Sequence, residues 1–166
     1  MTTASIARRT LRFDTLAEAV RDAETLLAKG YDKTGNWSLG QVCGHLANWM
    51  TYPIDGFPKV PLVIRPLLWM MKVMVGRRKL KTYLADRSFP AGAPTLPQSV
   101  PPATAEDAEG VAKLKAAADR FTAHTGPIIP SPLFGAMTKE TAEQLQRVHC
   151  AHHLSFLVPA GPVPKG

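Results

Sequence analysis

The sequence predicts an all-α fold. Three observations carry that reading. Apolar residues recur at i, i+3, i+4 and i+7 in several stretches, hydroxyl residues suited to N-caps stand just before those stretches, and no segment alternates as a half-buried strand does. The chain has 166 residues, 45% of them hydrophobic and 20% charged, which suits one domain with its own core. One helical domain is therefore expected over residues 1–166. Fifteen prolines and twelve glycines exclude a single helical rod, but they allow a bundle with a proline-rich excursion.

Five helices are expected. The first spans about Thr15 to Lys29. Thr15 and Glu18 fit a capping box, in which hydroxyl and carboxylate each satisfy a free backbone N–H. Leu16, Ala19, Val20, Ala23, Leu26 and Leu27 form its apolar stripe, and Gly30 is a natural stop. The second spans about Ser38 to Met50, with Ser38 and Gln41 as capping box. Val42, His45, Leu46 and Trp49 share one face, and Pro53 and Gly56 end it. The third lies near Pro66 to Val75. Prolines 90, 94, 97, 101 and 102 then exclude helix and central strand from Phe89 to Pro102, which reads as a crossover loop. The fourth spans about Thr104 to His124, with Val111, Leu114, Ala117, Ala118 and Phe121 inward. The last runs from about Thr138 to Leu157. The architecture is an α-helical bundle whose crossover, residues 55–103, joins the second and third core helices and carries an extra basic helix.

The charge is uneven. Between Asp55 and Pro90 stand eight basic residues, Lys59, Arg65, Lys72, Arg77, Arg78, Lys79, Lys81 and Arg87, against two acidic ones, a net of +6. The other 12 basic and 11 acidic residues leave +1, which completes the chain's +7. These charges flank apolar runs, Leu67 to Met71 and Val73 to Val75. A core helix with solvated basic ends is the favoured reading, and a helix lying on an anionic membrane surface is the alternative. The charges lack the interleaved aromatic and polar readers of a nucleic-acid interface, so no nucleic acid is expected. Two cysteines cannot make a disulfide framework. There is no run of 18 uncharged apolar residues and no apolar segment after Arg8, Arg9 and Arg12, so neither a spanning helix nor a secretory signal is expected. The expected location is cytoplasmic.

The histidines are the chemical signal. His149, His152 and His153 fall within five residues of the last helix, in the run VHCAHHL from Val148 to Leu154. Residues four apart on a helix differ by about 40° in direction and about 6 Å in height. His149 and His153 therefore aim at one point, and a third imidazole from another helix would complete a site with one open position. His149 with His152 is the competing pair. It is less favoured because His152 lies nearer the stripe of Leu145, Val148 and Phe156. Imidazole suits zinc, nickel, iron or copper. His45, taken alone, reads as a core histidine with a satisfied hydrogen bond, and His124 stands apart. A metalloprotease motif is excluded, because Cys150 occupies the place of its general base.

These residues also carry a family resemblance. The stretch Trp37 to Leu46 (WSLGQVCGHL) resembles the second-helix signature of the DinB-like (DinB/YfiT-type) metalloenzymes, and His149 with His153 resembles their last-helix pair. The stretches Arg9 to Asp14 (RTLRFD) and Pro132 to Thr138 (PLFGAMT) resemble one branch of unknown function. The resemblance is weakest from about Pro58 to Pro102. It implies a four-helix bundle, often a homodimer, with His45, His149 and His153 around a divalent metal, zinc or nickel. Members include S-transferases that use low-molecular-weight thiols (bacillithiol, mycothiol or glutathione) and a maleylpyruvate isomerase. A metal-dependent thiol S-transferase or hydrolase is the expectation that follows, with catalytic residues unassigned. The alternative is a non-enzymatic module that docks an anionic membrane or partner through its basic segment.

Asn48 and Gln146 lie three residues from these ligand positions and either orient imidazole or substrate or are ordinary polar rim residues, and His152 either supports the ligands from behind or belongs to the core. Cys43 points away from His45 and Cys150 is offset from His149, so both read as buried and inert. Trp49, Trp69, Met70, Met71 and Met74 read as core, or as the lining of an apolar pocket.

Overall fold

The protein, seen in a computed structural model, is described over residues 7–59, 61–92, 95 and 97–160, leaving aside the side chains of residues 64, 68 and 71. Its helices are α1 (Leu16–Lys29), α2 (Leu39–Asp55), α3 (Arg65–Met71), α4 (Arg77–Asp86), α5 (Asp107–Ala123) and α6 (Lys139–Leu154). Strands β1 (Tyr31–Lys33) and β2 (Leu157–Pro159) pair antiparallel, with Asp32 opposite Val158.

The long helices form where periodicity and caps agree. Ser38 Oγ accepts from Gln41 N while the Gln41 side chain accepts from Ser38 N, a complete capping box. Thr15 caps α1 through Glu18 N, but the Glu18 carboxylate reaches Asp14 N instead of closing the box. α1, α2, α5 and α6 contribute one core. Leu16, Ala19, Val20, Ala23 and Leu26 meet Leu39, Val42, Leu46 and Met50, with Val111, Leu114, Phe121, Ala151 and Leu154 completing it. Leu27, expected in the stripe, is exposed. The closest approach is between α2 and α5. A Cβ on Gly110 would stand 2.7 Å from the Gly40 Cα, so only glycine lets these backbones cross so tightly.

Several expectations are corrected. α2 continues through Pro53 to Asp55. Pro53 has no N–H for the carbonyl of Trp49, four residues earlier, and Gln146 Nε2 on α6 donates to that carbonyl at 2.9 Å instead. The last helix stops at Leu154, and Leu157 begins β2, because Arg9 takes the Leu154 carbonyl and Arg9 N donates to Ser155 O. The strands are too short, at three residues each, for alternation to show. α5 begins at Asp107 instead of Thr104. Within the proline-rich crossover, Pro97–Ser99 makes one 3-10 turn, which prolines permit in a first turn.

The largest correction concerns the basic helix. A 3-10 turn at Leu62–Ile64, α3, a π turn at Lys72–Gly76 and α4 follow one another without a break to Asp86. α4 packs on α6, while α3 packs mainly on the turns that flank it. Trp69, Met70 and Met74, read as core, are exposed; the Met71 side chain lies outside the described residues. Among the described residues, no helix is long and apolar enough to cross a membrane.

Candidate metal centre

α2 and α6 bring His45, His149 and His153 together. His45 lies on the buried side of α2. His149 and His153 lie one turn apart on α6 and face it. Each of the three offers one ring nitrogen, and these nitrogens all lie within 4.8 Å of one another, so the group can hold a metal ion. His45 Nε2 and His149 Nε2 are 3.2 Å apart. Tetrahedral nitrogens around an ion with bonds of about 2.1 Å stand about 3.4 Å from each other.

The hydrogen bonds of His45 fix its tautomer. Nδ1 faces the Ser99 carbonyl at 3.2 Å and the Ser99 hydroxyl at 3.1 Å. A carbonyl only accepts, so Nδ1 carries the proton and Nε2 keeps its lone pair for a ligand. Asn48 Nδ2 donates to the same carbonyl at 3.1 Å, which places Asn48 behind His45 through Ser99. Ser99 reaches this position because α2 has no side chain in the way: a Cβ on Gly44 would stand 2.6 Å from Pro101 Cγ. On the other side, Trp37 stacks on His153 with ring centroids 5.2 Å apart and planes within 6°.

Burial keeps all three rings neutral. It pushes His45 down to about 4. Burial and then repulsion from the neighbouring imidazoles hold His149 and His153 well below the usual histidine range. Neutral imidazole is the form that binds metal. The donor set, its protonation and its spacing thus fit a divalent cation.

His152 is not part of the triangle. Its Nδ1 takes a hydrogen bond from Arg8 at 3.2 Å, and its ring also bonds the Phe89 backbone. Arg8 lies over the Phe156 ring at 3.8 Å and donates to Ser155 Oγ at 2.7 Å, so it ties the segment before α1 to the end of α6. Gln146 faces the cavity, but its amide serves the Trp49 carbonyl. Cys43 and Cys150 are fully buried. Burial raises both thiols, Cys150 to about 12, and neither joins the site. His124 Nε2 stays with the Pro127 carbonyl.

The triangle opens onto a cavity of about 380 Å³. Trp49, Phe57, Tyr83, Phe89, Phe134, Met137 and Leu145 line it, and among the described residues Lys79 is the Lys, Arg, Asp or Glu side chain at its wall. Sequence reasoning missed Ser99, whose only signal was a polar residue between prolines, and Arg8, whose role depends on a contact 144 residues away.

Neither a curated protein nor a solved structure matches the chain. A family model, described as a protein of unknown function (DUF1569), matches residues 5–160, and with that match the chain belongs to the DUF1569 family.

Proposed function

We propose that this protein is a metal-dependent enzyme of the DinB-like four-helix-bundle type, a thiol S-transferase or hydrolase. In this reading α1, α2, α5 and α6 are the bundle and residues 55–103 are an insertion in its crossover. One observation carries the proposal: three neutral imidazoles from two helices converge at the wall of an open, mostly apolar cavity. A bound divalent ion, zinc or nickel, would supply Lewis acidity toward a thiol or water. His45, His149 and His153 would hold it. Ser99 keeps the His45 proton on Nδ1, and Trp37 limits rotation of His153. The aromatic wall accepts an apolar substrate group and keeps bulk water from that side. Gln146 Oε1 is buried without a partner among the described residues and offers the substrate an acceptor. A homodimer belongs to the same reading and rests on the resemblance; a cytoplasmic location belongs to it too and rests on the sequence offering neither a spanning helix nor a secretory signal.

The test is a cobalt-substituted protein titrated with bacillithiol, mycothiol and glutathione. The proposal expects a visible cobalt spectrum in the wild type, none in His153→Ala, and a shift with one of the thiols. A spectrum that no thiol moves would remove the S-transferase and leave the hydrolase. No spectrum in the wild type would remove the metal centre.

A further inference from the structure

Among the described residues, every exposed large apolar side chain except Leu27 and Ile129 lies between Leu62 and Met74. Val63 is 87% exposed, Met74 72% and Trp69 63%. Such residues on a single segment form a patch that ordinary surfaces avoid. Trp69 and Val73 are four residues apart, as are Met70 and Met74, so they line up along the helix. Arg65 stands one turn before Trp69, and Arg77 and Arg78 stand about one turn beyond Val73 and Met74. No acidic residue occurs between Asp55 and Asp86, and Arg65, Lys72, Arg77, Arg78 and Lys81 form no ion pair among the described residues.

We propose that this crest, from Leu62 through the π turn to α4, docks on an anionic phospholipid bilayer. Charge decides between the occupants. A second copy seated symmetrically would set one basic crest against another, with no carboxylate in the segment to relieve the repulsion. Anionic headgroups supply the missing charge. The headgroup–acyl boundary takes tryptophan, methionine and valine side chains that water does not. The protein lies on the surface, since no described helix is long and apolar enough to cross. Val75, Gly76 and Tyr83 of the same run line the histidine cavity, so docking would bring that cavity beside the lipid. The inference stands independently of the metal.

The full chain is sedimented with vesicles of phosphatidylcholine alone and with vesicles that also contain phosphatidylglycerol. Binding is expected only to the anionic vesicles, with a blue shift of tryptophan emission and release at high salt. Met74→Glu, and separately Arg77→Glu with Arg78→Glu, should each weaken it about tenfold or more, with unchanged circular dichroism because these positions are exposed. Absent binding by the wild type, or equal binding to neutral vesicles, overturns the proposal even if a variant misfolds. So does a dimer that Met74→Glu converts to monomer without lipid, or salt-sensitive binding to DNA in place of vesicles. Metal content of the wild type is measured alongside, which separates failure here from failure of the metal centre.

Discussion

At His45 the position of one proton decides what the ring can do. The Ser99 carbonyl claims Nδ1–H and leaves Nε2 to the other two imidazoles. The same burial that keeps these rings neutral makes the metal-free protein sensitive to acid. His45 and His152 titrate at about 4 when folded, and burial also holds His149 and His153 well below the usual histidine range, against about 6.5 when unfolded. Between those values the unfolded chain binds more protons, so stability rises with pH. Denaturant melts of the metal-free protein should show stability falling from pH 6.5 toward 4 and nearly level just above 6.5. A His149→Gln, His153→Gln double variant should flatten that slope. The His149 and His153 pair was legible in the sequence because helix geometry alone fixes where residues four apart point. Ser99 was not, because its role depends on a loop crossing α2 at Gly44.

At the scale of elements, α2 and α6 are joined through a hydrogen bond that proline makes necessary. Pro53 frees the Trp49 carbonyl and Gln146 takes it. Gln146→Ala should therefore cost about 1–3 kcal/mol of unfolding free energy by leaving a buried carbonyl unpaired. In a Pro53→Ala background, where residue 53 regains its N–H, the same change should cost measurably less. The crossing of α2 and α5 gives a second expectation. Gly110→Ala gains about 1 kcal/mol of helix propensity, but its Cβ meets backbone at 2.7 Å. Overpacking costs of about 1–3 kcal/mol should win, and thermal melts should show a lower Tm. α1 was legible because the Thr15 cap coincides with an apolar stripe, and the body of α5 because Val111, Leu114, Ala117, Ala118 and Phe121 follow helical spacing. Pro53 misled as a stop, since a proline ends a helix only when nothing else serves the freed carbonyl. The π turn at Lys72–Gly76 leaves no mark that periodicity detects.

Over the whole molecule, the first and last described segments meet at the end of α6. Arg9 bonds Asp22 on α1 with two contacts of 2.8 Å and also reaches the Leu154 carbonyl, and β1 pairs with β2 beside it. Cations at a helix C-terminus are stabilising, and here they also anchor the helix that carries two of the three imidazoles. The charge asymmetry was legible in composition. The exposure of its apolar residues was not, because an apolar run reads the same whether it packs inward or meets a partner.

The most direct measurement is the metal content of the untagged protein, with melting in added zinc or nickel. One ion per chain is expected, with a stabilisation of about 2.7 kcal/mol at a hundredfold excess over Kd, both lost in His45→Ala, His149→Ala and His153→Ala. A wild-type protein that binds no ion, and whose Tm neither metal moves, would contradict it.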